Sequence, residues 1–188
     1  RLDIGSVELG VNYVLIISTN AGLWGYNTGD TVSFTSKFPH KVIVTGRYNH
    51  FISAFGEHVI SSEVEKAMSD SLDLYNVSVN EFTVAPNVSN NYGESCHEWW
   101  IEFNKKPTKE EIKKLELSLE NSIKTQNSYY NDLVEGKVLK PLKIIAVHEN
   151  AFKKFMKKKG KLGGQNKLPR LCNNREIVSQ LDQYRINK

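Results

Sequence analysis

The order of apolar patterns after about residue 49 constrains the fold more than any other feature of the sequence. Runs rich in β-branched and aromatic residues predict strands at residues 51–55, 77–85, 97–103 and 142–148. Two longer runs, with apolar residues three and four positions apart, predict helices, one after the first strand and one after the third. The order β-α-β-β-α-β predicts a small α+β unit in which helices pack on one mixed sheet.

Each of the two long predicted helices has a start signal. Ser62 with Glu65, and Thr108 with Glu111, have the spacing of a capping box, in which each side chain satisfies a backbone N–H of the other residue. Two shorter flanking helices are expected at residues 151–159 and 175–184. The predicted buried faces of the two long helices consist of Val64, Met68 and Leu72, and of Ile112, Leu115, Leu119 and Ile123.

The N-terminal part of the chain has a different character. Strand patterns at residues 11–19, 31–35 and 41–45 are separated by segments rich in Gly, Asn and Pro. We therefore expect a strand-rich N-terminal segment at residues 1–48 and a separate α+β domain at residues 49–188.

Length and composition exclude several classes of protein. With 188 residues, 39% of them hydrophobic and 24% charged, the chain is expected to be globular. No apolar run approaches the roughly 20 residues of a membrane span, and no signal-peptide pattern is present, so we expect a cytosolic protein with no membrane partner. Cys96 and Cys172 are isolated, which predicts plain thiols rather than a disulfide or a zinc site. The chain starts at Arg1 and reaches an apolar strand by Val11, which predicts a fragment of a longer protein.

The net charge of +4 is unevenly distributed. Residues 153–170 are rich in lysine and contain no acidic residue. Such a basic stretch attracts polyanions such as nucleotides. A lysine-rich helix end is also often simply solvated, and it complements the helix dipole, so charge alone leaves both interpretations open. The cationic residues of this stretch are Lys153, Lys154, Lys157, Lys158, Lys159, Lys161, Lys167 and Arg170.

Three short segments carry residues suited to chemistry, and the first is GYNTGD at residues 25–30. It is typical of a tight turn after a strand. The carboxylate of Asp30 can accept two hydrogen bonds from a vicinal diol, as an acidic residue does for ribose in dinucleotide sites. A plain Gly-Asp turn explains the same residues, so this segment alone does not decide between the two.

The second segment, residues 45–65, spans the change of composition. The guanidinium of Arg47 can reach phosphate or ribose oxygens across a domain boundary, or it can pair with a surface carboxylate. Gly56 is expected to adopt a backbone conformation that other residues resist. Glu63 and Glu65 are expected to be first-turn helix residues rather than catalysts, because acidic residues there suit the helix dipole.

The third segment is KLGGQNKLPR at residues 161–170. It is not a phosphate-binding P-loop, because Leu162 follows the Gly-Lys pair where that motif requires Ser or Thr. Gly163 and Gly164 can act as a hinge that brings Lys167 to a developing phosphoryl or acyl-phosphate anion. A flexible basic loop is the alternative interpretation.

Together the three segments resemble the C-terminal part of the auxin-responsive Gretchen Hagen family of acyl-acid amido synthetases. This family is a branch of the luciferase-like adenylate-forming superfamily, and the resemblance extends over nearly the whole chain. The matching positions, in order, are Tyr26, Gly29 and Asp30; Gly46 and Arg47; Gly56, Glu63 and Glu65; and Gln165, Lys167, Pro169 and Arg170.

The resemblance implies a reaction and a role for particular residues. Family members use ATP and Mg²⁺ to convert a carboxylic acid to an acyl-adenylate, and then transfer the acyl group to the amine of an amino acid. Tyr26 and Asp30 would lie at the ATP site, with Asp30 holding the ribose hydroxyls. Arg47 would contact ribose or phosphate, Asn49 would be the hinge, and Lys167 would stabilise the charge that builds at the α-phosphate. No metal ligand is assigned to this chain.

The resemblance also implies that two parts of the chain belong to different domains. Residues 1–48 would be the C-terminal end of a larger adenylating domain that carries the phosphate-binding loop, and residues 49–188 would be its mobile lid. The expected partners are that N-terminal domain, a carboxylic acid and an amino acid acceptor, with no nucleic acid. The isolated chain is expected to be inactive. Many superfamily members have Asp or Lys where this chain has Asn49. Gly25 and Asn27 flank Tyr26 where plant relatives tend to have basic residues, so the resemblance does not identify the carboxylic acid substrate.

Two other functions remain open at this point. An acyl-CoA ligase of the same superfamily shares the ribose aspartate and the late lysine but uses a thiol acceptor. A stand-alone RNA-binding module also has a β-α-β-β-α-β sheet, although the strand HEWWIEF lacks the glycines and the basic start of the RNA-recognition pattern.

Overall fold

The computed structural model describes residues 1–47, 51–75, 77–91, 94–160 and 167–186. These residues form an antiparallel N-terminal sheet, a small hairpin, and a mixed sheet covered by helices. The predicted α+β class is confirmed.

The N-terminal sheet consists of β1 (Asn12–Ile17), β2 (Tyr26–Lys37) and β3 (His40–Arg47) in that order. Both pairs of strands are antiparallel. Its own core is small and comprises Val7, Val32 and Phe34. So few buried side chains leave much of the apolar surface of this sheet exposed.

The main sheet consists of β6 (Val79–Asn87), β7 (Cys96–Phe103) and β8 (Lys143–Val147), with β7 in the centre. Strand β6 is antiparallel to β7 and strand β8 is parallel to it. All residues of β7 are buried, because helices cover both faces of the sheet. Trp99 packs in the core on one face and Trp100 in the core on the other.

Three helices pack on the Trp99 face of the main sheet, and they are α1 (Ser61–Tyr75), α2 (Lys109–Gln126) and α3 (Ser128–Glu135). Two shorter helices, α4 (Ala151–Lys158) and α5 (Glu176–Leu181), pack on the Trp100 face. The predicted apolar stripe of α2 is confirmed: Leu115, Leu119 and Ile123 are buried, and Ile112 packs partly buried against the same core. Helix α3 was not predicted, because it follows α2 after the single residue Asn127 and has only eight residues.

The first predicted strand does not join the main sheet. It is reduced to β4 (Phe51–Ile52), which, within the described part of the chain, pairs with β5 (Val59–Ile60) in a separate antiparallel hairpin. The turn between the two strands starts two residues after β4 begins, which leaves too little extended chain to pair elsewhere. The predicted order of elements therefore holds, but three strands rather than four make the main sheet.

Helix α2 starts as predicted: Thr108 Oγ1 accepts the backbone N–H of Glu111, and the Glu111 carboxylate accepts that of Thr108. The predicted start of α1 is wrong, because the helix already begins at Ser61. Its N-terminus is stabilised by Glu63, whose carboxylate accepts the backbone N–H of Ile60 at 3.0 Å. Ser62 therefore lies inside the first turn and not at the cap.

Candidate functional site

Asp30 and Arg47 lie directly opposite each other in the ladder between β2 and β3. The register therefore places these two residues side by side in the sheet. Asp30 is half-buried, and Arg47 is the last residue of β3. The two residues that resemble a ribose and phosphate site are thus brought together by strand register.

The chain reaches Asp30 through a bulge, and the prediction of a simple turn at residues 25–30 is wrong. From Tyr26 onward these residues belong to β2, and three of them stand opposite the single residue Leu15 of β1. The Thr28 hydroxyl donates to the Leu15 carbonyl at 3.1 Å and accepts the Asp30 N–H at 3.1 Å. Gly29, at the centre of the bulge, has a φ of 78° that favours glycine. Bulges of this kind redirect side chains near functional sites.

A second bulge precedes Arg47. Thr31 pairs with Gly46 while the next residue of β2 pairs with Val44, so Thr45 is the extra residue on β3. The Thr45 hydroxyl donates to Thr31 Oγ1 at 3.0 Å. A Cβ placed on Gly46 would lie 3.8 Å from the Cβ of Ser61, so the end of β3 lies against the start of α1. The Asp30–Arg47 pair therefore sits where the N-terminal sheet meets the first helix.

The other two predicted residues of this region are placed differently. Tyr26 is the first residue of β2, pairs with Ile17 and is about half exposed, which leaves its ring accessible. Asn49, the predicted hinge, lies outside the described residues.

Lys167 is exposed and opens the tail segment, which we define as residues 167–172. The predicted glycine hinge before it, Gly163 and Gly164, lies outside the described residues. The tail segment lies beside the edge of β6: the Val84 N–H donates to the Arg170 carbonyl at 2.9 Å, and the Cys172 N–H donates to the Val84 carbonyl at 2.9 Å.

Side chains attach the tail segment further to the main sheet. The buried hydroxyl of Thr83 donates to the Pro169 carbonyl at 2.8 Å. Leu168 is buried in the core on one face of the sheet and Leu171 in the core on the other. Lys167 thus projects from a segment whose following residues are fixed.

Arg170 connects three elements. Its guanidinium pairs with Glu81 of β6, lies 3.9 Å from Glu65 of α1, and stacks over the Phe82 ring with 4.7 Å to the centroid. Burial lowers the pKa of Arg170, while the Glu65 carboxylate raises it. Sequence reasoning placed Glu65 and Arg170 in two separate segments of the resemblance and gave no sign that they contact each other.

Glu63 is a first-turn residue of α1, as predicted, whereas Glu65 lies beyond the first turn. Glu63 lies in the first turn of α1, where its carboxylate accepts the Ile60 N–H and the side-chain amide of Asn127. Burial raises the pKa of Glu63, although these hydrogen bonds oppose the shift. Both glutamates connect elements of the C-terminal unit.

A buried polar pair in the C-terminal unit was not predicted. Glu57 Oε1 lies 2.8 Å from His97 Nε2, and Glu57 Oε2 accepts the Phe55 N–H at 2.8 Å. Burial raises the pKa of Glu57, but its hydrogen bonds, first of all that from His97, outweigh burial and hold the pKa below its usual value. The partners are 40 residues apart, and no local pattern indicates such a contact.

A cavity of about 350 Å³ lies between β7 and α5. Its lining includes Glu98, Trp100 and Arg175. The Glu98 carboxylate accepts the Trp100 indole N–H at 3.1 Å and the Arg175 guanidinium at 2.8 Å. These polar groups satisfy one another, so they do not point to a ligand.

Three further observations limit the chemistry. Among the described residues, no group of three or more His, Cys, Asp or Glu side chains is placed to hold a metal ion. None of the described helices is both long and apolar enough to span a bilayer. An RNA-recognition sheet stacks bases on exposed aromatic side chains, whereas both tryptophans of β7 are at most 2% exposed.

The comparisons with known proteins agree on one family. The sequence pattern of the GH3 family C-terminal domain matches residues 62–176, and that of the GH3 family central domain matches residues 1–47. Two relatives from Arabidopsis thaliana are the indole-3-acetic acid-amido synthetase GH3.4 and the probable indole-3-acetic acid-amido synthetase GH3.1. Each is 26% identical over 194 residues, which is 96% of this chain but 32% of the relative. The chain thus spans about a third of the length of these relatives.

Solved structures share the fold. The GH3.15 acyl acid amido synthetase superposes with a TM-score of 0.77 at 21% identity, over 99% of this chain and 36% of that protein. A 2-hydroxyisobutyryl-CoA ligase in the postadenylation state gives a TM-score of 0.53 at 14% identity, over 94% of this chain and 35% of that protein. Both enzymes contain a region that folds like this chain.

Proposed function

We propose a function from the premise that this chain belongs to the GH3 family and is a C-terminal part of one of its members. The complete protein is proposed to be an acyl-acid amido synthetase. In the first step, the carboxylate of an acid attacks the α-phosphate of ATP, giving an acyl-adenylate and releasing pyrophosphate. In the second, the amine of an amino acid attacks the acyl carbon, giving an amide and releasing AMP and a proton.

The register of Asp30 opposite Arg47 is the observation that carries this proposal. A carboxylate accepts both hydroxyls of a ribose diol, and a guanidinium donates to phosphate or ribose oxygens. A nucleotide bound at the end of the β2–β3 ladder would lie next to both residues. Tyr26, exposed on the same strand, is proposed to contact the same nucleotide.

Lys167 is proposed to act in the first step. As the acid attacks, negative charge builds on the oxygens of the α-phosphate, and an ammonium group near them lowers the barrier. Lys167 is exposed and therefore accessible to a ligand. The fixed segment after it holds its backbone close to the edge of β6.

We further propose that residues 1–48 complete a larger adenylating domain and that residues 49–188 form its lid, with Asn49 as the hinge. The exposed apolar side chains of the N-terminal sheet support this division: Val42, Ile43 and Val44 are 48%, 55% and 70% exposed. Such a surface is expected to be covered by the rest of a larger domain. The main sheet, by contrast, is already covered on both faces.

The proposed co-substrate is ATP, and the remaining substrates are a carboxylic acid and an amino acid. Mg²⁺ is proposed to arrive with the phosphates of ATP, because this ion keeps several waters and is commonly bound through phosphates. We assign no ligand for it among the described residues. A cytosolic location is proposed, which suits the free thiols of Cys96 and Cys172.

Pyrophosphate exchange tests the proposal. The complete protein is expected to exchange labelled pyrophosphate into ATP only in the presence of its acid. These 188 residues alone are expected to show no exchange. Robust exchange by the isolated chain would contradict the division into two domains.

An acyl-CoA ligase is the second candidate, because such a ligase shares the fold. The two functions differ only in the nucleophile of the second step. Once the acid is known, offering the complete enzyme coenzyme A and a panel of amino acids separates them. A thioester product would replace the amide proposal.

A further inference from the structure

Several protein groups hold the side chain of Arg170 in place. Its guanidinium has two carboxylate neighbours on different elements, Glu81 and Glu65, and an aromatic face beneath it. Glu81 Oε1 also accepts the Phe82 N–H at 3.1 Å, which holds the carboxylate in place. The Arg170 carbonyl meanwhile accepts the Val84 N–H. Both the side chain and the backbone of this residue are therefore tied to β6.

The position of Arg170 limits where Lys167 can lie. The two residues are three positions apart, and an extended residue spans at most about 3.6 Å, so their Cα atoms lie within about 11 Å of each other. Pro169, between them, has a fixed φ and removes further freedom. Loosening at Arg170 would therefore add freedom to the backbone of Lys167, within the limits set by buried Leu168 and the Thr83–Pro169 hydrogen bond.

We infer that Arg170, held by Glu81, is a positioning residue for Lys167. The inference rests on the proposed role of Lys167 in adenylate formation. Arg170 itself is not required to touch a substrate, because its guanidinium is already occupied by protein groups. Its function is to keep the tail segment against β6. The backbone from which the Lys167 side chain extends then stays in a constant position.

The chemistry of the contact requires arginine. A planar guanidinium can donate to a carboxylate and stack on an aromatic ring at the same time, whereas an ammonium group cannot reproduce that geometry. Arg170→Lys is therefore expected to behave nearly like Arg170→Met, even though it keeps the charge.

The test compares the two half-reactions of the complete enzyme. In Arg170→Met, pyrophosphate exchange is expected to slow by about ten- to a hundredfold with the KM for ATP little changed, since misplacement by about 1 Å can cost that much. Amide formation from supplied acyl-adenylate is expected to proceed at the wild-type rate. Glu81→Gln keeps Arg170, removes the charge of one of its two carboxylate neighbours and should give the same pattern with a smaller loss. A merely structural defect would slow both half-reactions together.

Arg185→Met is the matched control. Arg185 has a side chain of similar exposure, 39% against 35%, and it forms an ion pair with Asp182, three residues before it. Its replacement is expected to leave both half-reactions unchanged.

Hydrogen exchange gives a second measurement on the same variants. The backbone N–H groups of Val84 and Cys172 form the hydrogen bonds between β6 and the tail segment. Both are expected to exchange faster in Arg170→Met than in the wild type. The amide of Lys140, which donates to the Ser95 carbonyl at 2.8 Å, should be unaffected.

The variant Lys167→Ala distinguishes a failure of the positioning inference from a failure of the proposed role of Lys167. If it slows pyrophosphate exchange while Arg170→Met and Glu81→Gln do not, the positioning inference is overturned and the proposed function stands. If Lys167→Ala itself leaves exchange unchanged, the proposed role of the lysine fails, and the inference fails with it.

Discussion

Glu57 Oε1 and His97 Nε2 lie 2.8 Å apart in the interior of the C-terminal unit, and neither side chain is more than 3% exposed. Glu57 belongs to the turn between β4 and β5, and His97 to the central strand β7. The His97 ring lies 5.1 Å from that of Tyr130, whose hydroxyl donates to Glu120 at 3.0 Å. This contact joins the hairpin that follows the proposed hinge to the main sheet, so both are expected to move as one body.

Removing the charge of Glu57 is expected to destabilise the chain. Breaking a buried pair by changing one partner typically costs about 3–5 kcal/mol, because the other group stays buried without its partner. We expect Glu57→Gln to lower the free energy of unfolding by roughly that amount in denaturant titration. Glu110→Gln, which removes an exposed ion pair with Lys114, serves as the control and should leave the transition in place. Equal transitions for wild type and Glu57→Gln would show that the buried pair contributes nothing.

The same pair predicts a dependence on pH. Because the folded pKa of Glu57 is lowered, its carboxylate stabilises the fold above the ordinary glutamate pKa of about 4.3. That contribution is lost as the pH falls through the lower folded pKa. The difference in unfolding free energy between wild type and Glu57→Gln should therefore shrink as the pH falls below about 4.3. A difference that persists undiminished at pH 3 would contradict this assignment.

Both thiols are expected to be unreactive in the folded chain. Burial, followed by the nearby Glu176 carboxylate, raises the pKa of Cys172 to about 11, and burial raises the pKa of Cys96. The thiolate is the reactive form, so little of it is present at pH 8. A thiol reagent should modify neither cysteine until denaturant is added, and both afterwards. Fast modification of the native chain would argue against this packing.

Local signals predicted most of the elements. The Thr108–Glu111 capping box and the stripe ending at Ile123 are properties of neighbouring residues, so sequence reasoning could find them. What it missed depends on partners distant in sequence. The contact between Glu57 and His97 exists only once the hairpin packs on β7, and the bulge before Asp30 exists only because β1 pairs on both sides of it.

The candidate site divides in the same way. Its residues were found through a motif resemblance, but the motif did not show that Asp30 and Arg47 share one rung of a ladder. It also did not show that Glu65 and Arg170, at opposite ends of the C-terminal unit in sequence, are neighbours. Strand register and the packing of distant segments create these relationships, and local sequence periodicity predicts neither.

Asp30→Ala is expected to weaken the use of ATP by the complete enzyme. A hydrogen bond to a charged group is worth about 1.5–3 kcal/mol, which corresponds to roughly a ten- to hundredfold rise in the KM for ATP. The variant should also discriminate less between ATP and 2′-deoxy-ATP than the wild type does. Discrimination that stays at the wild-type level would remove Asp30 from the ribose site. Asp70→Ala, which changes an exposed aspartate in a surface ion pair, is the control.

The decisive measurement is pyrophosphate exchange by the complete protein carrying Lys167→Ala, with Lys106→Ala as an exposed-lysine control. We predict that Lys167→Ala slows exchange by about a hundredfold or more, the usual cost of losing one group that stabilises a developing anion. The unfolding transition should stay in place, because Lys167 is exposed. Wild-type exchange by a folded Lys167→Ala protein would contradict the proposed role of this lysine in adenylate formation.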